Sequence, residues 1–147
     1  GYSTFTLAGE LNADGGDDDG EGGIIELEGG EIIAAENESI TLSANGSGEA
    51  SGGEIHVLTN WGAINMGDDG SISANSGDDG GDGGTISTSH GSVWDEVTIS
   101  TLSATGQSEN GGAITIESTG SANLVVNSKI IDTVPLKLKN PTDWLDL

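Results

Sequence analysis

The stretch Leu42-Ser43-Ala44-Asn45, followed by Gly52-Gly53-Glu54-Ile55-His56-Val57, decides the fold because the chain repeats it about every 30 residues. Each copy has one aliphatic residue and three small or polar ones, and later a Gly-Gly pair before a short alternating run. The copies start at Leu11, Leu42, Ile72 and Leu102, and their glycine pairs start at Gly22, Gly52, Gly83 and Gly111. This period is typical of solenoids and propellers.

The alternation of apolar and polar residues predicts strands rather than helices. In the second copy it appears at Ile40 and Leu42, at Ile55 and Val57, and at Ile64 and Met66. Three short strands per copy indicate an all-β parallel β-helix of about four coils, stacked at ~4.8 Å, with aliphatic side chains inside. The alternative is an antiparallel β-sandwich, whose hairpins would suit the same Gly-Asp loops.

The repeat divides the chain into three segments. Residues 1–10 form an N-terminal opening strand, residues 11–133 form the four-repeat solenoid, and residues 134–147 depart from the pattern. This last segment carries both prolines, two of the three lysines and an apolar tip. It is a cap on its own chain, a connector strand that docks on the next subunit, or the end of an excised fragment whose neighbouring coils are missing.

Composition excludes several classes of function. Twenty-five acidic residues against three lysines, Lys129, Lys137 and Lys139, give a net charge of −22, and the chain has no arginine. Such a surface repels nucleic acid and anionic lipid. No apolar run approaches the ~20 residues that cross a bilayer, so membrane insertion is not expected. Aromatic residues are 3% of the chain, which favours a thin repeated core over a thick globular one.

The localisation that we expect is secreted, extracellular or at the cell surface. The chain has no cysteine, begins at Gly1 without a methionine and shows no basic-then-apolar leader. These features fit a processed secreted product, with a cut fragment as the alternative.

The two ends of a short solenoid are the candidate assembly sites, because terminal coils expose unpaired strand edges and an open apolar core. Upstream, Phe5 and Leu7 alternate in Tyr2-Ser3-Thr4-Phe5-Thr6-Leu7. Downstream, the candidates are Val134, Leu136, Leu138, Trp144, Leu145 and Leu147. A strand from one subunit added to the next would produce a fibre.

The residues Ile72-Ser73-Ala74-Asn75-Ser76-Gly77, followed by Gly80-Gly81-Asp82-Gly83-Gly84-Thr85-Ile86-Ser87, resemble the repeats of filamentous-haemagglutinin-like secreted adhesins. The likeness spans residues 11 to about 131. The resemblance implies a right-handed β-helix exported to the cell surface, with adhesive or structural work and no chemistry.

Acidic residues gather in the turns, at Asp17, Asp18, Asp19, Asp78, Asp79 and Asp82. Oxygen ligands on glycine-rich turns suit Ca²⁺, which is the one cofactor that the sequence suggests. The spacing matches neither an EF-hand nor the Gly-Gly-x-Gly-x-Asp repeat of calcium-binding β-rolls. The alternative is that these loops are solvated and only keep the particle soluble.

Four further residues bear on carbohydrate. Asn37 and Asn45 are glycosylation acceptors of the Asn-x-Ser type, and Trp61 and Trp94 are candidates for stacking on sugar rings, although a tryptophan in a thin solenoid more often fills a corner.

The leading functional hypothesis is a secreted, non-enzymatic structural subunit that self-assembles end to end into an extracellular filament or surface layer. The alternative is a carbohydrate- or surface-binding adhesin module that depends on Ca²⁺. Catalysis is not expected, because the lysines are confined to the C-terminal part and carboxylates on glycine turns are poorly held for acid–base work.

Overall fold

A computed structural model describes residues 3–91, 97–107, 110–119, 126–131, 133–140 and 143–146, the last three ranges as backbone strands. The first nine strands are β1 (Thr4–Leu7), β2 (Gly9–Asn12), β3 (Ile24–Gly29), β4 (Glu31–Ala34), β5 (Ile40–Ser43), β6 (Glu54–Thr59), β7 (Ile64–Asn65), β8 (Ser71–Ser73) and β9 (Thr85–His90). The remaining strands are β10 (Val97–Ser103), β11 (Gly112–Ser118), β12 (Val126–Ile131), β13 (Thr133–Asn140) and β14 (Asp143–Asp146). No helix occurs in the described ranges.

Apart from β14, the described strands pair in parallel with the equivalent strand of a neighbouring coil, so the predicted parallel β-solenoid of about four coils is confirmed. On the first face the order is β1, β4, β7 and β10, and on the second it is β2, β5, β8 and β10. Because β10 is long enough to serve both faces, these strands form one sheet, with β12 paired to β10. The third face is a separate sheet in the order β3, β6, β9, β11, β13 and β14.

Inward side chains form columns that run along the solenoid axis. One column on the second face is Leu11, Leu42, Ile72 and Leu102, and one on the third face is Ile25, Ile55, Ile86 and Ile114. In these two columns each coil places an aliphatic residue next to that of its neighbour, because a parallel in-register pairing aligns equivalent positions. The core is therefore a thin stack of aliphatic layers.

A further column, made of polar side chains, holds the turn after the second face by hydrogen bonds between coils. Asp14 Oδ1 accepts a hydrogen bond of 2.6 Å from the backbone N–H of Asn45, and Asn45 Oδ1 accepts one of 2.9 Å from that of Asn75. Asn75 Oδ1 in turn accepts from the N–H of Thr105 at 2.9 Å. The fourth residue of each of the first three sequence copies thus satisfies a backbone donor in the following coil.

The Gly-Gly pairs are explained by the close approach of successive coils. A Cβ atom on Gly53 would lie 2.0 Å from the carbonyl oxygen of Gly23, and one on Gly84 would lie 2.1 Å from that of Gly53. Only glycine fits at these positions in the stack. The Gly-Gly pair therefore recurs in each copy because close packing of successive coils requires it.

The N-terminal residues take part in the first full coil. Strands β1 and β2 pair with β4 and β5 of the next coil, and β3 completes the turn. The coil boundary thus lies before the first sequence copy, which starts at Leu11.

The strands of the C-terminal segment pair with strands of the same chain. Strand β13 pairs in parallel with β11, in register from Ile114–Leu136 to Glu117–Lys139, and so continues the third face. Strand β14 then pairs antiparallel with β13. The last turn is short, since β12 ends at Ile131 and β13 begins at Thr133, whereas 11 residues (13–23) separate β2 from β3.

Candidate functional site

The first coil leaves one end of the apolar core open. Phe5 heads the column of Ile32 and Ile64 and is 41% exposed, although both residues below it are fully buried. Leu11 heads the column of Leu42 and is 43% exposed, whereas Leu42 is fully buried. We call this surface, made of the first-coil residues Phe5, Leu7, Leu11 and Leu27, the head.

The head also presents three strands with a free edge. Within the described part of the chain, β1 pairs only with β4, β2 only with β5 and β3 only with β6. An exposed strand edge offers unpaired backbone groups to another strand. Open apolar side chains and strand edges therefore coincide at the head.

Carboxylates surround the head on its outer side. Glu10, Glu26 and Glu28 are exposed on β2 and β3, and no lysine or arginine precedes Lys129 in the sequence. Ile24, also on β3, is 64% exposed and adds an apolar side chain to this rim. The head is thus an apolar end with an acidic border.

Sequence reasoning identified Phe5 and Leu7 at this end but missed Leu11 and Leu27. The repeat predicts both as ordinary core positions. The signal that finds them is their place in the order of copies, because the first member of any stacked column lacks a neighbour on one side.

The downstream candidates lie at the opposite end of the sheets. Val134, Leu136 and Leu138 belong to β13, and Trp144 and Leu145 belong to β14, where Leu138 is in register with Leu145. Leu147 lies outside the described residues. Within one chain, the structure does not bring the two predicted assembly segments together, because β3 and β14 are the two end strands of the third-face sheet.

The acidic loops are held by one another. The backbone N–H of Ser47 donates to the carbonyl of Gly20 at 3.0 Å, and that of Asp79 donates to the carbonyl of Gly48 at 2.9 Å. The Asp19 carboxylate accepts from the N–H of Glu49 at 2.8 Å. Contacts between coils thus order these loops.

The six aspartates proposed for Ca²⁺ lie on two separate loops, in the first coil (Asp17, Asp18 and Asp19) and the third (Asp78, Asp79 and Asp82). Across the described ranges, no three His, Asp or Glu side chains come together as a metal ion would need. A groove of about 410 Å³ between the turns of the second and third coils carries Glu36, Glu38, Asp68 and Asp69, and it too forms no such group.

The two glycosylation candidates differ in their surroundings. Asn37 is exposed in a turn with a backbone φ of 62°. Asn45 is partly buried and its Oδ1 accepts a hydrogen bond from the N–H of Asn75. Asn37 is therefore the acceptor whose side chain is accessible.

The tryptophan pair cannot be compared directly, because Trp94 lies outside the described residues. Trp61 is partly exposed and its indole covers Gly30 at the corner between coils, where a Cβ atom would lie 2.3 Å from Nε1. This position agrees with a corner-filling residue that keeps one face open.

No helix in the described part of the chain is long and apolar enough to span a membrane. No family model, curated protein or solved structure matches the chain. The resemblance to filamentous-haemagglutinin-like repeats therefore depends on the residue pattern, since the solenoid arrangement does not identify that family.

Proposed function

We propose that this protein is a secreted, non-enzymatic structural subunit that assembles end to end into an extracellular filament or surface layer through β-strand contacts. The observation that carries the proposal is the head. Phe5 and Leu11 are exposed there at the end of columns whose next members are fully buried.

Two kinds of free energy favour covering the head. Burying apolar surface contributes roughly 25 cal/mol per Å², and a strand placed on the edge of β1, β2 or β3 would satisfy backbone groups that otherwise depend on water. The end of another solenoid with the same cross-section supplies both at once. A small ligand could not bury this apolar surface and also satisfy the backbone groups of all three strands.

The charge of the border argues against other partners. Nucleic acid and anionic lipid would be repelled by Glu10, Glu26 and Glu28, which no basic residue in the first coil offsets. The extracellular location in the proposal is supported by composition alone, namely the absence of cysteine and the acidic surface.

Sedimentation velocity over a range of concentrations, with negative-stain microscopy of the same samples, tests this proposal. We expect species larger than the monomer, growing with concentration into rods or sheets. Leu11→Asp should abolish them, because a carboxylate would then face the joint. Ser87→Asp is the control, since Ser87 is on the outer side of β9 in the third coil, two strands away from β3.

Gly23→Ala separates loss of assembly from loss of folding. The three heavy atoms nearest to a Cβ atom at Gly23 all belong to Ala13, at 3.2 Å or more, so the monomer should keep its circular dichroism spectrum. The same atom would obstruct a strand stacked on the head, as it would at Gly53 inside the stack. A wild-type chain that stays monomeric at every concentration would refute the proposal.

A further inference from the structure

The three lysines of the chain occupy related positions in the strand ladders. Lys129 ends the column that begins at Glu10 and passes through Thr41, Ser71 and Thr101. Every intermediate residue of this column is uncharged. An acid thus stands at the head and a base at the far end, which we call the tail and define as β12, β13 and β14.

Two columns of the third face also contain a first-coil glutamate and a lysine. Lys137 follows Glu26, His56, Ser87 and Thr115 in one column, and Asp146 of β14 comes after it. Lys139 follows Glu28, Leu58, Ser89 and Glu117 in the other, and Trp144 of β14 comes after it. All three lysines therefore share a column with a first-coil glutamate.

We propose that the occupant of the head is the tail of a second copy of this chain, so that the assembly is polar. This inference rests on the proposed function and adds the partner and its orientation. A copy stacked head to tail in register would place Lys129 one strand spacing, about 4.8 Å, from Glu10 of the next copy, because these two residues stand at opposite ends of one column. Opposite charges in adjacent ladder positions stabilise a sheet, and like charges destabilise it.

The reverse arrangement, head against head, places acid against acid. The acidic border of one copy, with Glu10, Glu26 and Glu28, would face the same border of the other, with no base in the first coil of either copy. Complementary charge also excludes wrong partners, because juxtaposed like charges are costly at a desolvated joint. The ladder positions therefore select a heterologous contact, which continues without closing on itself.

The column of Glu10 and Lys129 is the one to test. On the third face the strand at the tail end is β14, which places Asp146 in register with Lys137. On the second face Lys129 is on β12, which pairs only with β10 in the described part of the chain. Glu10 is exposed, so its replacement leaves the core intact.

The experiment compares Glu10→Lys, Lys129→Glu and the double variant by sedimentation velocity, with circular dichroism to confirm folding. Each single variant should require about tenfold more protein to assemble than wild type. The double variant, which keeps the net charge of −22, should return to the wild-type concentration. Glu36→Lys, an exposed turn residue with the same change of charge as Glu10→Lys, serves as the control and should leave assembly near wild type.

Three results would overturn the polar arrangement while leaving end-to-end assembly in place. One is a Lys129→Glu variant that assembles like wild type. Another is a double variant that assembles no better than Glu10→Lys, as head-to-head contact requires. The third is a Glu36→Lys variant that shifts assembly as much as Glu10→Lys, which would assign the effect to net charge. A wild-type chain that never assembles would refute the proposed function itself.

Discussion

On the first and second faces, the first and third coils place large apolar residues at equivalent inward positions, yet the surroundings of these residues differ. Ile64 and Ile72 of the third coil are fully buried, whereas Phe5 and Leu11, at the top of the same columns, are among the exposed large apolar residues. The difference comes from the neighbours, because the third coil has a coil on each side. In a solenoid, the burial of a side chain thus depends more on whether its coil has a neighbour on both sides than on the type of residue.

The largest effect on stability that tests this comparison is expected for Gly23 and Gly53, which occupy equivalent positions in the first and second coils. Gly53→Ala should lower the free energy of unfolding by about 3 kcal/mol or more, because its Cβ atom would overlap the backbone carbonyl of Gly23. Gly23→Ala, the same change in the first coil, should lower it by less than about 1 kcal/mol, since no described coil lies above it. Urea unfolding at a concentration too low for assembly gives both values.

Equal losses for the two glycine variants would contradict the comparison, because they would show that the head position is as crowded as the interior one. Gly16→Ala is a further control. A Cβ atom at Gly16 has no heavy atom within 4 Å, so its substitution should leave stability unchanged.

A smaller difference is expected between two leucines of one column. Leu42→Ala should cost about 3 kcal/mol, as a fully buried leucine does when a cavity replaces it. Leu11→Ala should cost about 1 kcal/mol, because Leu11 is exposed and water fills the space that is left. At concentrations where the chain assembles, the cost of Leu11→Ala should rise towards that of Leu42→Ala. A Leu11→Ala variant that is as unstable as Leu42→Ala in the monomer would mean that the head is covered within the chain.

The fold could be predicted from the sequence because its determinants are local and repeated. The alternation at Ile55 and Val57 sets the strand, and the glycine pair before it permits the close stacking that parallel coils need. With the same pattern in four copies, in-register stacking is the arrangement that buries every aliphatic residue at once. The predicted strands of the interior coils agree with β5, β6, β8 and β9.

The site was harder to predict because it depends on which coil is first and on contacts between distant residues. The alternation in Thr4-Phe5-Thr6-Leu7 predicts a strand, but the shift of the coil boundary to include β1 and β2 follows from pairing with β4 and β5. The order in the acidic loops comes from hydrogen bonds between residues about 30 positions apart, such as that between Asp19 and Glu49. Composition alone suggested ions for the same loops.

The smallest expected effect has the opposite sign and concerns a polar residue inside the stack. Thr88 is fully buried in the column of Leu27, Val57 and Ile116, and its Oγ1 has no hydrogen-bond partner. Burying a hydroxyl without a partner costs free energy, and the preceding coil places a valine of nearly the same shape at this position. Thr88→Val should therefore raise the free energy of unfolding by about 1 kcal/mol, measured by urea unfolding of the monomer.

Thr85→Val, at the start of the same strand, is the matched control for this substitution. Thr85 is on the outer side of β9 and partly exposed, so the loss of its hydroxyl should change stability by less than about 0.5 kcal/mol. A Thr88→Val variant less stable than wild type would show that the hydroxyl is satisfied inside the core. In that case the two neighbouring coils would supply hydrogen-bond partners for a buried polar group as well as apolar contacts for aliphatic ones. The first coil has a neighbour on one side only and so lacks half of these partners.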